Sequence, residues 1–273
     1  APFDLTPVLL VSFTGLLLLA DGSRDWRGAF ALGWSFGFGF FLAGLYWIAV
    51  ALTIDIDAFW WLMPFAVLGV PAGLALFTAA AVLASYALCR AFSWGGTARI
   101  LTLAVAWTVA EWLRGHVLTG FPWNLVGYSW SGAFPGALTL LQTTAYVGIY
   151  GLSLLTVLVA MLPARLGDLA RGRHWPALAA ALLIAAPAAA GALRLSQDQR
   201  AMTPGVRLRL VQPSIPQRLK NDREEEVANF HSLLALSGAP GGVAPPTAII
   251  WPETAAPPFL ERSPTARAEI ARM

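Results

Sequence analysis

The sequence predicts an α-helical membrane bundle of six transmembrane helices, followed by the opening part of an α/β domain. Of its 273 residues 57% are hydrophobic and 12% are charged, whereas soluble domains carry about 25% charged residues. The apolar residues gather in six stretches of nearly bilayer-spanning length. The charges are uneven, because residues 1–193 carry 15 of them and the final 80 residues carry 18. An ordinary soluble globule and a disordered chain are therefore excluded.

The apolar part is predicted to be a transmembrane helical domain over residues 1–194. A hydrocarbon core of about 30 Å accommodates a helix of roughly 20 apolar residues. The six predicted spans cover residues 5–20, 29–52, 64–88, 100–113, 137–162 and 176–193. A soluble all-α core is disfavoured, because a soluble helix needs a polar face and these stretches show almost none. The second span contains glycines that would let a neighbouring helix approach closely: Gly33, Gly37, Gly39 and Gly44.

The arginines between the spans predict the orientation of the chain. Seven of them lie in the loops 21–28, 89–99 and 163–175, whereas loop 53–63 has no basic residue and loop 114–136 has only Arg114. Positive residues collect on the cytoplasmic side of a membrane. We therefore expect residue 1 and the region after Leu193 to be non-cytoplasmic. The basic pI follows from this pattern, and no nucleic-acid partner is expected.

The charged end of the chain has the pattern of an incomplete α/β domain over residues 205–273. Apolar and charged residues alternate over 206–211, as in a strand, and a second apolar strand is predicted over 247–251. Between them, apolar residues recur at helical spacing over 221–236. About 70 residues are too few to close such a sheet. Because the chain also lacks a natural start, we expect a fragment cut at both ends.

Glu253 is the candidate catalytic residue of this domain. It follows Trp251 and Pro252 directly after the second predicted strand. Active sites of α/β folds are built at the carboxyl ends of strands. A carboxylate held there beside an indole ring can act as a proton acceptor. The alternative is a glutamate in a solvated loop, which spacing alone favours.

The residues from Ile249 to Ala255 resemble the segment of the nitrilase (carbon–nitrogen hydrolase) superfamily that carries the first catalytic residue. With six spans before it, the chain resembles the bacterial apolipoprotein N-acyltransferase family. Further matches run in order along nearly the whole chain: Gly37-Phe38-Gly39 to Tyr46-Trp47, Glu111-Trp112-Leu113-Arg114-Gly115 to Leu118-Thr119-Gly120-Phe121-Pro122-Trp123, Gly127-Tyr128-Ser129, and Val211-Gln212-Pro213 to Ile215-Pro216-Gln217.

The resemblance implies an inner-membrane enzyme with eight spans and a periplasmic nitrilase-like domain between the last two. The implied reaction moves an acyl chain from a phospholipid donor, through a thioester acyl-enzyme, to the N-terminal lipid-modified cysteine of an apolipoprotein acceptor. The family uses a Glu-Lys-Cys triad and no cofactor. Glu253 matches the glutamate, the proton acceptor. The matching lysine and cysteine are not in this chain, so the chain alone is predicted to be inactive.

Neither Cys89 nor Lys220 is expected to replace the missing triad members. Cys89 lies at the cytoplasmic end of a predicted span, where a small buried apolar role suits it. Lys220 precedes the first helix of the α/β domain and does not match the triad position. Asn221 departs from the family, which often has tryptophan there. No metal site is predicted, because the histidines lack a second ligand at suitable spacing.

Two further groups near the fourth span are candidates for binding. Glu111 and Arg114 are three residues apart on one helix and can pair; they are either a structural ion pair that fixes the following loop or a substrate contact. Phe121, Trp123 and Tyr128, with Trp251, are candidate lipid-facing or substrate-facing residues. The alternative for these aromatic residues is an ordinary membrane-interface belt.

Two other functions compete with the acyltransferase. One is another membrane-bound amidase or acyltransferase of the nitrilase superfamily, which residues around its cysteine would distinguish. The other is a non-catalytic transporter or scaffold. Transporters tend to contain internal repeats; no repeat is visible here, and a transporter would leave the Trp251-Pro252-Glu253 segment without a role.

Overall fold

A computed structural model shows a mostly helical chain that divides into two compact units, Ala1–Asp198 and Gln199–Met273. It describes residues 6–132, 134–165, 174–197, 202–216, 219, 222, 224–241, 244–252, 260 and 263–272. The first unit contains only helices among its described residues, and the second contains a parallel strand pair with two helices.

The first unit contains nine described α-helices. They are α1 (Val8–Asp21), α2 (Trp26–Leu45), α3 (Ile48–Leu52), α4 (Ile56–Phe59), α5 (Val70–Ala91), α6 (Thr97–His116), α7 (Ala137–Leu141), α8 (Thr144–Met161) and α9 (Trp175–Gln197). Short 3-10 turns cover Trp60–Leu62, Val126–Ser131 and Leu162–Arg165, and a π-helical turn over Phe65–Gly69 leads into α5.

Four helical stretches are long and apolar enough to cross a membrane, within the residues that the structure describes. They are Trp26–Leu45, Phe65–Ala91, Thr144–Arg165 and Trp175–Gln197. The membrane-bundle character of the prediction is thereby supported, with four qualifying spans where the sequence analysis counted six. Helices also occupy the other two predicted stretches: α1 has 14 residues, and the 20 residues of α6 include Arg99, Glu111 and Arg114.

Small residues bring α2 and α5 into direct backbone contact. A Cβ added at Gly33 would lie 2.8 Å from the Ala79 Cα, and one added at Gly37 would collide with the Thr78 hydroxyl. That hydroxyl donates to the carbonyls of Gly33 (3.0 Å) and Ala75 (2.8 Å). The predicted close approach of a neighbouring helix is therefore observed at Gly33 and Gly37.

The core of the bundle is aromatic and is centred on Trp107 of α6, which is 2% exposed. Its ring packs edge-on against Phe13 of α1 at 4.8 Å between centroids, and against Phe36 and Phe40 of α2 at 5.8 and 5.9 Å. Such T-shaped contacts suit the charge distribution of aromatic rings. The core therefore packs the middle of α6 against α1 and α2.

The predicted span 137–162 is divided into α7 and α8, and α8 itself contains a break at Gly148. Gly148 has φ 67° and ψ −179° within α8, and this conformation interrupts the regular helix. Only glycine adopts such a backbone at low cost. The sequence analysis did not foresee this break, because an apolar stretch does not reveal where its backbone departs from helical geometry.

The second unit has the order strand, helix, strand. Strand β1 (Leu208–Leu210) pairs in parallel with β2 (Ala248–Ile250), with Arg209 opposite Ile249. Helices α10 (Glu226–Gly238) and α11 (Pro264–Ala271) complete its described part. The two predicted strands and the predicted helix are thus present. The helix begins later than predicted, because Glu224 takes part in a turn in which its N–H donates to Asp222 Oδ1 at 3.0 Å.

Candidate functional site

The segment 117–125 follows α6 and is called here the pinned loop. Arg114 of α6 binds the backbone of this loop. Arg114 Nη1 donates to the carbonyl oxygens of Phe121, at 2.8 Å, and Trp123. The guanidinium carbon also lies 4.9 Å from the ring centroid of Phe41. Because Arg114 is only 2% exposed, these charge-assisted bonds lie away from water, where they are strong.

Glu111 binds the backbone of Val126, the first residue after the pinned loop. Its Oε1 accepts hydrogen bonds from the Val126 amide at 2.9 Å and from the Trp107 indole at 3.1 Å. The hydroxyl of Ser153 is a further neighbour of this carboxylate and accepts from the Gly127 amide at 2.9 Å. Glu111 is 4% exposed. One helix face of α6 therefore carries both fastening points, one turn apart.

Glu111 and Arg114 were predicted either to pair with each other or to contact substrate. Among the described residues the ion pairs within 4 Å join Arg99 to Asp21 and His231 to Glu269, and none joins Glu111 to Arg114. Each is instead directed at the backbone of the following segment. The reason is geometric: two loop carbonyls engage the guanidinium, while a backbone amide and an indole engage the carboxylate.

Three residues of the pinned loop have positive φ angles. They are Leu118 (58°), Gly120 (74°) and Asn124 (55°). The Phe121 amide turns back to the Arg114 carbonyl at 2.8 Å, and a Cβ at Gly120 would lie 2.5 Å from the Gly115 carbonyl oxygen. Glycine is therefore required at position 120. Left-handed backbone at Leu118 is unusual for a branched apolar residue, and its side chain is 99% exposed.

The candidate aromatic residues lie on and beside this loop. Trp123 is 56% exposed, Tyr128 is 43% exposed, and Phe121 is half-buried. The Trp123 ring meets Trp47 edge-on at 6.2 Å between centroids. The side-chain amide of Asn124 donates to the Phe40 carbonyl of α2 at 3.4 Å. The loop thus exposes aromatic and apolar side chains, while polar groups of α6 bind its backbone.

Trp251, the remaining candidate, belongs to the second unit. Its indole N–H donates to Ser237 Oγ at 2.9 Å, and its ring lies 6.3 Å from Phe230. Arg209 donates to the Ser237 carbonyl from strand β1. Trp251 also lines a cleft of about 940 Å³ with residues such as Thr247 and Leu260. The bond to Ser237 orients the residue that precedes Pro252 and Glu253.

Glu253, Lys220 and Asn221 lie outside the described residues, so the structure does not test their predicted roles. Cys89 is a half-buried free thiol at the end of α5. No cluster of three or more histidine, cysteine or acidic side chains that could hold a metal ion occurs within the described ranges.

Sequence reasoning missed Asn124, Ser153 and Leu118 as parts of the site. Asn124 is the one with a visible signal, because asparagine tolerates left-handed backbone and stands in a Gly/Pro-containing loop. Ser153 lies within the mostly apolar predicted span 137–162, and only the packing of α8 against the turn after the pinned loop brings it to the Gly127 amide.

Comparison with known proteins covers both units. Residues 1–162 match the family model described as the apolipoprotein N-acyltransferase N-terminal domain. The whole chain is 41% identical to the apolipoprotein N-acyltransferase of Rhodopseudomonas palustris and 44% identical to that of Bradyrhizobium diazoefficiens, in each case over 52% of the relative. It is 42% identical to that of Brucella suis, over 98% of this chain and 51% of the relative. The chain therefore spans about half the length of the curated relatives it matches.

Proposed function

The chain belongs to the apolipoprotein N-acyltransferase family, and we propose that it is the membrane bundle and the first part of the catalytic domain of such an enzyme. The observation that carries the proposal is the collinear 41–44% identity along both units to proteins named for this activity. The strand-helix-strand order of the second unit supports a nitrilase-like domain whose remaining part lies in the second half of the relatives' length.

The proposed membrane arrangement has six spans, which adds α1 and α6 to the four qualifying helices. The bacterial inner membrane would hold the bundle, with the second unit in the periplasm. Arginine placement supports this orientation, because Arg24, Arg27, Arg90 and Arg99 lie at one end of the bundle's helices. The pinned loop lies at the opposite end of α6 from Arg99.

Labelling tests this orientation. In the 273-residue chain with Cys89→Ser, we expect single cysteines at Leu118 and Met202, which are 99% and 82% exposed, to react with a membrane-impermeant maleimide in spheroplasts. A cysteine at Phe92, 60% exposed at the other end of α5, would react only after the membrane is opened. Labelling of position 92 before positions 118 and 202 would invert the orientation and remove the periplasmic assignment.

In the proposed reaction Glu253 is the proton acceptor. It would take the proton of a cysteine thiol supplied by the second half of the enzyme, and the thiolate would attack the ester carbonyl of a phospholipid acyl chain. The lysophospholipid leaves with a proton, and a thioester remains. The amino group of the apolipoprotein's N-terminal cysteine then attacks the thioester and regenerates the thiol.

An acyl-enzyme assay tests the catalytic part. With the complete encoded enzyme and a phospholipid carrying a labelled acyl chain, we expect a hydroxylamine-sensitive adduct, which Glu253→Gln abolishes. Glu261→Gln, a second acid eight residues further on, is the matched control and should keep the adduct. Normal adduct formation with Glu253→Gln would refute the base assignment, and loss with both variants would indicate a folding defect.

The exposed Trp123 and Tyr128 and the half-buried Phe121 are proposed to contact the acyl chain of the donor lipid. Trp123 is the clearest probe, because its carbonyl, and not its side chain, binds Arg114. Trp123→Ala should slow thioester formation with little change in thermal unfolding. The control is Trp26→Ala at the start of α2, where the indole is 57% exposed, compared with 56% at Trp123. Equal thioester rates in both variants would contradict the lipid contact.

A further inference from the structure

The chain between the first two qualifying spans is apolar and yet contains no buried residue. It covers residues 46–64, between Trp26–Leu45 and Phe65–Ala91, all of them described, and is called here the interface segment. Its short helices α3 and α4 and its 3-10 turn bury no side chain. Eight large hydrophobic side chains of the segment are between 44% and 65% exposed: Tyr46, Trp47, Val50, Ile54, Ile56, Phe59, Trp60 and Trp61. An exposed apolar surface of this kind marks a binding face.

The exposed side chains surround the segment and do not form one face. Phe59, Trp60 and Trp61 follow one another where α4 passes into the 3-10 turn, and all three are exposed. Successive residues of such helical turns point roughly 100–120° apart. A folded protein partner covers one side of an element, whereas lipid surrounds it. The distribution of the exposed side chains therefore favours lipid as the occupant.

Polar groups of the segment find their hydrogen-bond partners locally. The indole N–H of Trp47 donates to the Gly44 carbonyl and that of Trp61 to the Ala58 carbonyl, each at 3.1 Å. The helical turns pair backbone amides with carbonyls three or four residues earlier. Chain at membrane depth needs such internal partners, because hydrocarbon supplies none. The segment is therefore suited to contact with acyl chains.

Two acids set the depth of the segment. Asp55 and Asp57 are the charged residues between Arg27 and Arg90, and both are exposed. A charge at membrane depth is costly, so these acids must face water. Tryptophan and tyrosine prefer the boundary between headgroups and acyl chains. Since no basic residue lies between Arg27 and Arg90, attraction to an anionic lipid cannot hold the segment there.

We propose that the interface segment lies along the lipid–water boundary of a zwitterionic phospholipid bilayer. Its aromatic rings lie at the level where headgroups meet acyl chains, and Asp55 and Asp57 face water. The ring of Trp47 meets that of Trp123 edge-on at 6.2 Å between centroids, so the segment also sets the height of the pinned loop at the bilayer surface. This inference rests on the membrane assignment of the bundle and not on the proposed acyltransferase activity.

Collisions of a spin label with oxygen and with a water-soluble nickel complex test the depth. Oxygen concentrates in hydrocarbon and the complex in water, so the ratio of the two collision rates rises with depth. The 273-residue chain with Cys89→Ser, in phosphatidylcholine nanodiscs, receives a single labelled cysteine at Trp60 or Val50. Leu76, 53% exposed within the span Phe65–Ala91, is the hydrocarbon reference, and Met202, 82% exposed in the second unit, is the control outside the bundle.

We expect the oxygen-to-nickel ratio at positions 60 and 50 to lie between those at positions 76 and 202. A label at Asp57 should give a ratio close to that at position 202. High salt should leave the ratio at position 60 unchanged, because salt screens ionic contacts and not apolar ones.

Three results would overturn the proposal. Ratios at positions 60 and 50 equal to that at position 202 would place the segment in water. Low collision rates with both reagents would place it against protein, whether a second copy or another part of the enzyme. A ratio at position 60 that falls at high salt would indicate ionic attachment.

Discussion

The close packing of α2 on α5 makes a sharp prediction about two glycines that are two residues apart on one helix. Gly37 is buried against α5: a Cβ there would collide with the Thr78 hydroxyl and lie 3.2 Å from the Ala75 Cα. Gly39 is exposed, and a Cβ added there would meet no atom within 4 Å. The same substitution by alanine should therefore have opposite effects at the two positions.

The magnitudes follow from packing and backbone entropy. Overpacking a tight contact costs about 1–3 kcal/mol, so Gly37→Ala should destabilise the bundle. Replacing glycine by alanine in a helix without a clash gains roughly 0.5–1 kcal/mol, so Gly39→Ala should stabilise it. The variants should differ by at least about 1.5 kcal/mol. For a unit of this size that difference is a Tm gap of about 3 °C or more.

Thermal unfolding of the purified chain, followed by the fraction that remains monodisperse in detergent, measures this difference. We expect the Tm to rank Gly39→Ala, then the parent chain, then Gly37→Ala. If Gly37→Ala were as stable as Gly39→Ala, the α2–α5 contact would not exist in the form described.

Three further predictions concern single contacts. Arg114→Gln should destabilise the bundle by about 1.5–3 kcal/mol, because it removes the charge-assisted hydrogen bonds to the Phe121 and Trp123 carbonyls, and thermal unfolding measures it; an unchanged Tm would contradict those bonds. Leu118→Gly should stabilise the pinned loop by about 1–2 kcal/mol, because glycine relieves the left-handed backbone, which slower limited proteolysis at the loop would show and faster cleavage would refute. Ser237→Ala should cost the second unit about 1–3 kcal/mol by leaving the Trp251 indole N–H unpaired. Amide exchange over α10 is the measurement, and unchanged protection would argue against that hydrogen bond.

The membrane bundle shows which structural features a hydrophobic pattern predicts and which it does not. The stretches predicted from hydrophobicity coincide with helices, because the length and apolar character of a membrane helix are local properties of the sequence. The ends and breaks were predicted less well: Gly148 interrupts α8, and the predicted span 29–52 is divided between α2 and α3. A break depends on backbone angles that neighbouring helices impose.

The second unit gives the same contrast at smaller scale. Alternation of apolar and charged residues predicted β1, and an apolar run predicted β2, because both patterns depend only on residues adjacent in the sequence. Their parallel pairing, with Arg209 opposite Ile249, and the hydrogen bond from Trp251 to Ser237 depend on residues far apart in the chain. No local pattern specifies those partners.

The sequence by itself determined the membrane character, the order of the two units and the acyltransferase family, because composition, helical periodicity and motifs are properties of neighbouring residues. Only the tertiary structure decided that Glu111 and Arg114 bind the backbone of the following segment and not each other. The physical reason is that a buried charge binds whichever polar groups the packed helices bring within reach, and spacing along one helix does not reveal them.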